Sequence, residues 1–273
     1  MFIAEIGINH NGNLEYAYDL IDMAYKAGAD IVKFQKRNPE KCVPKSQWHK
    51  KKKTPWGKMD YIDYKKRIEF GYSEYLAIDA YCKKLGIKWT ASVWDVDSLN
   101  FITKFDVPFI KIASASITDM LLLEEIWEKD IPVVMSTGMS TEDEVDRAVY
   151  TLEELGKNLT ILHCNSSYPV AEDELDLNVI KTLKNKYPKH KIGYSGHERG
   201  IQPTVVAKVL GAEVIERHIT LDKGMWGSDH SASLEYNELK TLIDYLNRVD
   251  DWLGNNKIKV YKSEEKIKKK LRR

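Results

Sequence analysis

The sequence predicts an α/β chain folded as one TIM (β/α)8 barrel, a single domain with a long loop between the second strand and the second helix. Three observations predict it. Eight short β-rich apolar runs recur along 273 residues, separated by amphipathic helix-like stretches, which implies parallel strands joined by crossover helices. Polar residues stand at the C-terminal end of nearly every run: Glu5, Lys33, Gln35, Ser92, Lys111, Ser114, Ser136, His163, Ser195 and His218. A barrel gathers such ends at one mouth, whereas an open doubly wound sheet, the alternative, spreads them along an edge. Finally, no GxGxxG follows the first run, as a dinucleotide-binding open sheet would require.

FIAEI (2–6) is the first strand candidate. NLEYAYDLIDMAYKAGA begins after a turn and stops at glycine, as a capped helix does. DIVKFQ (30–35) is the second strand. Residues 36–71 then form the longest interruption; it contains Gly57 and, with Trp48, Trp56, Tyr61 and Tyr64, is too aromatic for pure disorder. Connections of this length are usually functional, so a lid over the mouth is expected, with a small capping excursion as the plainer reading. SEYLAIDAYCKKLG is the next helix, followed by strands IKWTAS (87–92), FIKIAS (109–114) and PVVMST (132–137). TEDEVDRAVYTLEELG opens on a capping box and stops at glycine. LTILHC (159–164), KIGYS (191–195) and EVIERHI (213–219) complete the eight, and a closing helix is expected near 235–253. The barrel domain is thus placed at 1–253 and a basic tail at 254–273.

Apolar residues make up 43%, enough for a sizeable core, and a net charge of +1 gives no reason to invoke nucleic acid. Three cysteines without paired spacing suggest neither a disulfide framework nor a zinc module. The N-terminus lacks the pattern of a signal peptide and no apolar run reaches membrane-spanning length, so a cytoplasmic protein is expected. The run KSQWHKKKKTPWGK (45–58) reads as solvated surface or, more sharply, as a basic rim that attracts an anionic substrate.

Lys33 and Lys111 lie within apolar runs. A lysine inside a barrel must find an anion or lose its charge, so the pair points to an anionic substrate or to a Schiff-base amine. Ser114, Ser136, Thr137 and Ser195 precede glycines or helix starts, where backbone N–H groups can cradle an anion. His197 and His218, on successive strand ends, could share a metal ion or serve as structural hydrogen-bonded residues; His10, His163 and His230 are further candidates. Glu5, flanked by apolar neighbours, needs a partner such as Lys33, or serves as a proton carrier.

The phrases FIAEIGINHNG, DIVKFQ, STGMS, YSGHERG and ERHITLDKGMWGSDHSASLE resemble the sialic acid synthase family over about residues 2–253. PWGKMDYIDYKKRIEF in the long loop is similar to the same family. The resemblance implies condensation of phosphoenolpyruvate with an N-acetylated amino-sugar aldehyde such as N-acetylmannosamine. It implies His197 and His218 as ligands of a divalent metal, usually Mn2+, with Mg2+ or Co2+ as substitutes. Lys33, Lys111, Ser114, Ser136 and Ser195, with Ser92, would hold the carboxylate and phosphate; Glu5 and Gln35 would line the reacting centre. Tyr168 and Asp229 would face the sugar. The catalytic set is then Glu5, Lys33, Gln35 and His218, in a homodimer. The same chemistry on a legionaminate or pseudaminate precursor, or on another 2-keto-3-deoxy acid, and a non-catalytic barrel are the alternatives. Two departures stand out. Ser116 occupies a position that is acidic in many members, and the chain ends where an antifreeze-like domain would begin. Lys58 and Arg67 of the lid are expected to compensate in part for that domain.

Overall fold

The computed structural model describes residues 1–154, 156 and 158–272. Its strands are β1 (Phe2–Gly7), β2 (Ile31–Lys36), β3 (Lys51–Thr54), β4 (Gly57–Asp60), β5 (Lys88–Val93), β6 (Ile110–Ile112), β7 (Val133–Ser136), β8 (Leu159–Cys164), β9 (Lys191–Gly196) and β10 (Val214–His218). All but β3 and β4 close into one barrel in the order β1-β10-β9-β8-β7-β6-β5-β2. Every barrel pairing is parallel, and β1 bonds to both β2 and β10, so no edge is left open.

All eight strand candidates are strands. The fourth is shorter than 109–114: after Ile112 the chain leaves the sheet, and Ser114–Ser116 coils into a 3-10 turn. The helices start and stop where capping chemistry allows. Leu14–Ala27 begins on Asn13, whose side chain accepts from the N–H groups of Glu15 and Tyr16, and ends on Gly28 at φ 95°. Before Glu142–Glu154, Thr141 donates its N–H to Glu144 Oε2 at 2.7 Å, and its hydroxyl accepts from the Glu144 N–H at 3.3 Å. That is the expected capping box; Leu155 of the same stretch lies outside the described residues.

Strand alternation sorts the barrel interior into layers. Ile3, Ile31, Phe109, Val134, Leu162 and Val214 turn inward and form a closed apolar plug. Gly193 leaves room for it, since a Cβ there would fall 2.5 Å from Leu162 Cδ2 and 2.3 Å from the Val214 carbonyl. Two residues further along the same strands, the inward positions become Glu5, Lys33, Lys111, Ser136, Cys164 and Glu216. The outer barrel face packs against the helices in the main core.

Residues 36–71 are built, not draped. They hold a helical turn at Pro39–Cys42, the β3–β4 hairpin and the helix Tyr61–Ile68. Tyr64 and Ile68 join Ile8 in a satellite core on which Met59, Tyr61 and Trp226 pack, which fastens the segment to the loop after β10. Among the described residues no helix is long and apolar enough to cross a membrane. Beyond the closing helix Tyr236–Leu253 the tail is exposed and carries a short helix, Glu265–Leu271, that the sequence reading did not anticipate; Arg273 lies outside the described residues.

Candidate active site

The layer above the plug is a compact network of buried charge. Lys33 Nζ lies 2.7 Å from Glu5 Oε2 and donates to Ser92 Oγ at 2.7 Å. Lys111 Nζ donates to Ser136 Oγ at 2.7 Å. Glu216 Oε1 sits between the two lysines, 3.6 Å from each, and accepts from Ser195 Oγ at 3.2 Å. Gln35 donates to Glu5 Oε1 at 3.0 Å. None of Glu5, Lys33, Lys111 or Glu216 is more than 6% exposed, so each charge depends on the others.

The two carboxylates respond in opposite ways. Burial pushes Glu5 up to about 7, with Lys33 opposing and Glu216 reinforcing the rise. Burial also disfavours charge on Glu216, but Lys111 and Lys33 together override it and hold that carboxyl at about 2. Lys33 rises despite burial because Glu216 and Glu5 hold its proton; Lys111 is lowered, chiefly by burial. When Glu5 takes up its proton, the layer carries two ammonium groups and one carboxylate. It is then net positive and suited to an entering anion.

Above it opens a cavity of about 150 Å³. The structure brings Glu5, Lys33, Gln35, Ser92, Lys111, Ser114, Ser136, Tyr168, Ser195, His197 and His218 to its wall. Asp229 is not on that wall: it is buried beside His218, with Oδ2 4.0 Å from Nδ1, and accepts from the Ser228 hydroxyl. Ser114 Oγ accepts from the Gly138 N–H at 3.0 Å, which ties the turn after β6 to the turn after β7.

The histidines meet at the rim, ring centroids 5.5 Å apart. His197 Nδ1 is 2.6 Å from the Asn165 carbonyl, so as a donor it leaves Nε2 with a free lone pair. Burial holds His218 down at about 3, with His197 and Lys33 opposing its proton and Asp229 favouring it; its Nδ1 is buried without a hydrogen-bond partner. One oriented imidazole and one neutral imidazole suit a divalent ion. Among the described residues, no group of three or more His, Cys, Asp or Glu side chains is gathered as a metal cage. Tyr168 stacks on His197 at 4.0 Å between centroids. Cys164 Sγ is 3.9 Å from His197 Nδ1; burial opposes both charges, but mutual attraction lowers the thiol and raises the imidazole.

The other three candidate histidines do not line this cavity. His163 bonds the Leu175 carbonyl at 2.8 Å, His10 stacks on Phe70 at 4.0 Å, and His230 meets the Thr220 hydroxyl at 2.7 Å. Lys58 and Arg67 do not line this cavity: Arg67 lies over Trp56 at 4.7 Å, beside Asn11 and Trp226. Sequence reasoning missed Glu216, Trp94, Cys164 and Arg37. Glu216 had a signal, because in VIERHI it shares the inward face with His218. Arg217 faces the other way, into a clamp: it bonds Glu198 Oε1 at 2.8 Å, the Glu198 carbonyl at 2.8 Å and Thr204 Oγ1 at 2.7 Å. Glu198 and Arg217 are the immediate neighbours of His197 and His218, so the clamp fixes both rings from behind.

A closed barrel with paired buried lysines beneath two histidines places a charged, polar cavity at the C-terminal face. The chain belongs to the NeuB family, whose model matches residues 20–258. It is 43% identical to an N-acetylneuraminate-9-phosphate synthase of Drosophila melanogaster, over 88% of this chain and 65% of that protein. It is 34% identical to an N,N'-diacetyllegionaminic acid synthase of Campylobacter jejuni, over 97% of this chain and 81% of that protein. The crystal structure of an N-acetylneuraminic acid synthetase from Leptospira borgpetersenii in complex with citrate superposes with a TM-score of 0.87 at 34% identity, covering 100% of this chain and 92% of that one. The chain therefore spans about two thirds of the Drosophila relative's length.

Proposed function

We propose that this chain condenses phosphoenolpyruvate with an N-acetylated amino-sugar aldehyde to a nonulosonic acid, releasing phosphate. The observation that carries this reading is the Lys33–Glu216–Lys111 array, with each ammonium also on a serine hydroxyl. Such an array is preorganised for a small polyanion such as the carboxylate and phosphate of phosphoenolpyruvate. Relatives that make sialic and legionaminic acids support the product class. Buried charges without a ligand to serve are costly, which argues against a non-catalytic barrel.

In this reading Lys33, Lys111, Ser92, Ser114, Ser136 and Ser195 hold phosphoenolpyruvate with its C3 toward the rim. The aldehyde carbon is attacked by C3, water adds at C2, and the tetrahedral product loses phosphate by C–O cleavage. Glu5, poised near neutrality, exchanges a proton with the reacting oxygens from its carboxyl while Gln35 fixes its orientation. His197 and His218 would hold a divalent ion, Mn2+ for preference, whose chemistry is Lewis-acid polarisation of the aldehyde oxygen. Tyr168 borders the sugar, Asp229 acts from behind His218 by favouring charge on that ring, and the enzyme works as a cytoplasmic homodimer. A Schiff-base aldolase is disfavoured at Lys33, whose proton Glu216 and Glu5 hold; Lys111, lowered by burial, is the amine that borohydride trapping would test.

The test is phosphate release from phosphoenolpyruvate with Mn2+ and a panel of N-acetylated amino-sugar aldehydes, including legionaminate and pseudaminate precursors. Release that requires both substrates is expected. No release with any sugar from protein that binds the metal would overturn the reading, and borohydride trapping of pyruvate would favour the aldolase.

A further inference from the structure

Trp56 and Arg67, which the reaction cavity does not use, line a cavity of their own. It has a volume of about 710 Å³ and lies between the tip of the β3–β4 hairpin, the turn after β1 and the loop after β10. It shares no wall residue with the reaction cavity, nor with the lysine-lined cavity that meets the reaction cavity at Trp94. Its walls are aromatic. Trp56 meets Trp226 edge to face at 6.2 Å, Trp226 is backed by Tyr64 at 5.2 Å, and Tyr16 joins them on the wall. Trp56 and Tyr16 remain 36% and 38% exposed, so their rings are open to a ligand. The frame around them is fixed. Asn11 donates to the Trp226 carbonyl at 2.9 Å. The turn after β1 is pressed so close to the end of the helix Tyr61–Ile68 that a Cβ on Gly12 would fall 2.6 Å from the Arg67 carbonyl.

Among the described residues, Arg67 is the one charged side chain on this wall. Its guanidinium lies over Trp56 at 4.7 Å and makes no ion pair or hydrogen bond within the described chain. Stacking occupies the plane of a guanidinium and leaves its N–H fork free to take a carboxylate through two parallel bonds. A phosphate monoester, at about −1.5 to −2, would exceed the single cation available. Aromatic rings beside the fork suit the apolar face of a sugar ring. We infer that this cavity is a second ligand site, outside the reaction cavity, for a carboxylated sugar. Its carboxylate sits on Arg67 and its ring packs against Trp56, Trp226 and Tyr16. The cavity alone gives that class; that the ligand is the nonulosonic acid product rests on the condensation proposed above. Such a ligand joins the hairpin tip and Arg67 to the loop after β10, close in sequence to Asp229, which stands beside His218. Bound product braces the lid against the loop that backs His218, and slows turnover without entering the reaction cavity.

The experiment titrates three sugars by calorimetry into protein saturated with phosphoenolpyruvate, which keeps carboxylates out of the reaction cavity. The sugars are N-acetylneuraminate, glucuronate and the methyl glycoside of N-acetylmannosamine, which is neutral and has no free aldehyde. Wild type, Arg67→Gln, Trp56→Ala and the control Lys53→Met, altered at an exposed lysine outside the cavity, are compared. Wild type should bind N-acetylneuraminate at least about tenfold more tightly than the neutral glycoside, and Arg67→Gln should lose about that factor. Trp56→Ala should weaken the acid too, and Lys53→Met should bind it as wild type does. N-acetylneuraminate bound more tightly than glucuronate identifies the product as ligand; the reverse order overturns that identity and assigns the site to a hexuronic acid. No binding, equal binding of the neutral glycoside, or acid binding that Arg67→Gln leaves unchanged overturns the site. In the condensation assay N-acetylneuraminate should lower kcat of wild type without raising the KM of phosphoenolpyruvate. Arg67→Gln should escape that inhibition, with its uninhibited kcat/KM within about twofold of wild type. Inhibition that is competitive with phosphoenolpyruvate in both proteins overturns the bracing of the lid. If no sugar condenses, the reaction proposal and the product identity fall together, and the calorimetric ranking still decides the site.

Discussion

The barrel interior holds two layers made by the same strands, two residues apart, that obey opposite rules. The lower one, Ile3, Ile31, Phe109, Val134, Leu162 and Val214, has no polar side chain and needs none. The upper one places two lysines and two glutamates within one network of ion pairs and hydroxyl contacts. The lower layer contributes stability by removing apolar surface from water. The upper layer contributes little, because desolvating four charges offsets most of their attraction. One layer is therefore expected to hold the barrel together, and the other to hold ligand.

Lys111→Met should show the largest effect. It removes one of the two cations beside Glu216, so kcat/KM for phosphoenolpyruvate should fall by about 10²–10³-fold. Glu5 can respond to altered local charge by shifting its protonation, so the melting temperature should move far less than activity does. A steep loss of stability with activity per folded molecule intact would abolish the distinction. Leu162→Ala should do the converse, costing about 3 kcal/mol in urea unfolding because the plug cannot collapse around the gap, while kcat/KM stays within a few-fold. A collapse of kcat/KM in folded Leu162→Ala protein would mean that the plug also sets the geometry of the layer above it.

How much of this was legible in the sequence follows from which contacts are local. The plug and the polar layer are period-2 patterns within single strands, so FIAEI, DIVKFQ and FIKIAS announced both an inward face and its polar end. Capping at Asn13 and Thr141 was equally local. Glu216 was legible but overlooked, since alternation with His218 already placed it inside. What could not be read depends on distant partners. Arg67 turned to Trp56 because the hairpin folds back onto the loop after β10, a contact across more than 150 residues of chain. Trp94 became a shared wall of two cavities only because the lid lands beside it. Asp229 sits behind His218 instead of on the cavity wall for the same reason: the turn after β10 places its carboxylate.

The smallest expected effect separates the two carboxylates inside the upper layer. Glu5 has a folded value, about 7, above the ordinary carboxyl value of 4.5. A raised group lends stability that is complete below 4.5 and disappears as pH climbs through 7. Glu216 is depressed to about 2, so its stability is present above 4.5 and is lost only as pH falls toward 2. Between 4.5 and about 7, therefore, Glu5 is the member of this pair that makes the protein less stable as pH rises. Glu5→Gln keeps the bond geometry available to Gln35 and removes the titration, so its unfolding free energy across that window should be flatter than that of wild type, by about 1 kcal/mol or more. Parallel profiles would place the Glu5 proton elsewhere in the layer, and the proton carrier of the proposed reaction would have to be sought among the hydroxyls and imidazoles instead.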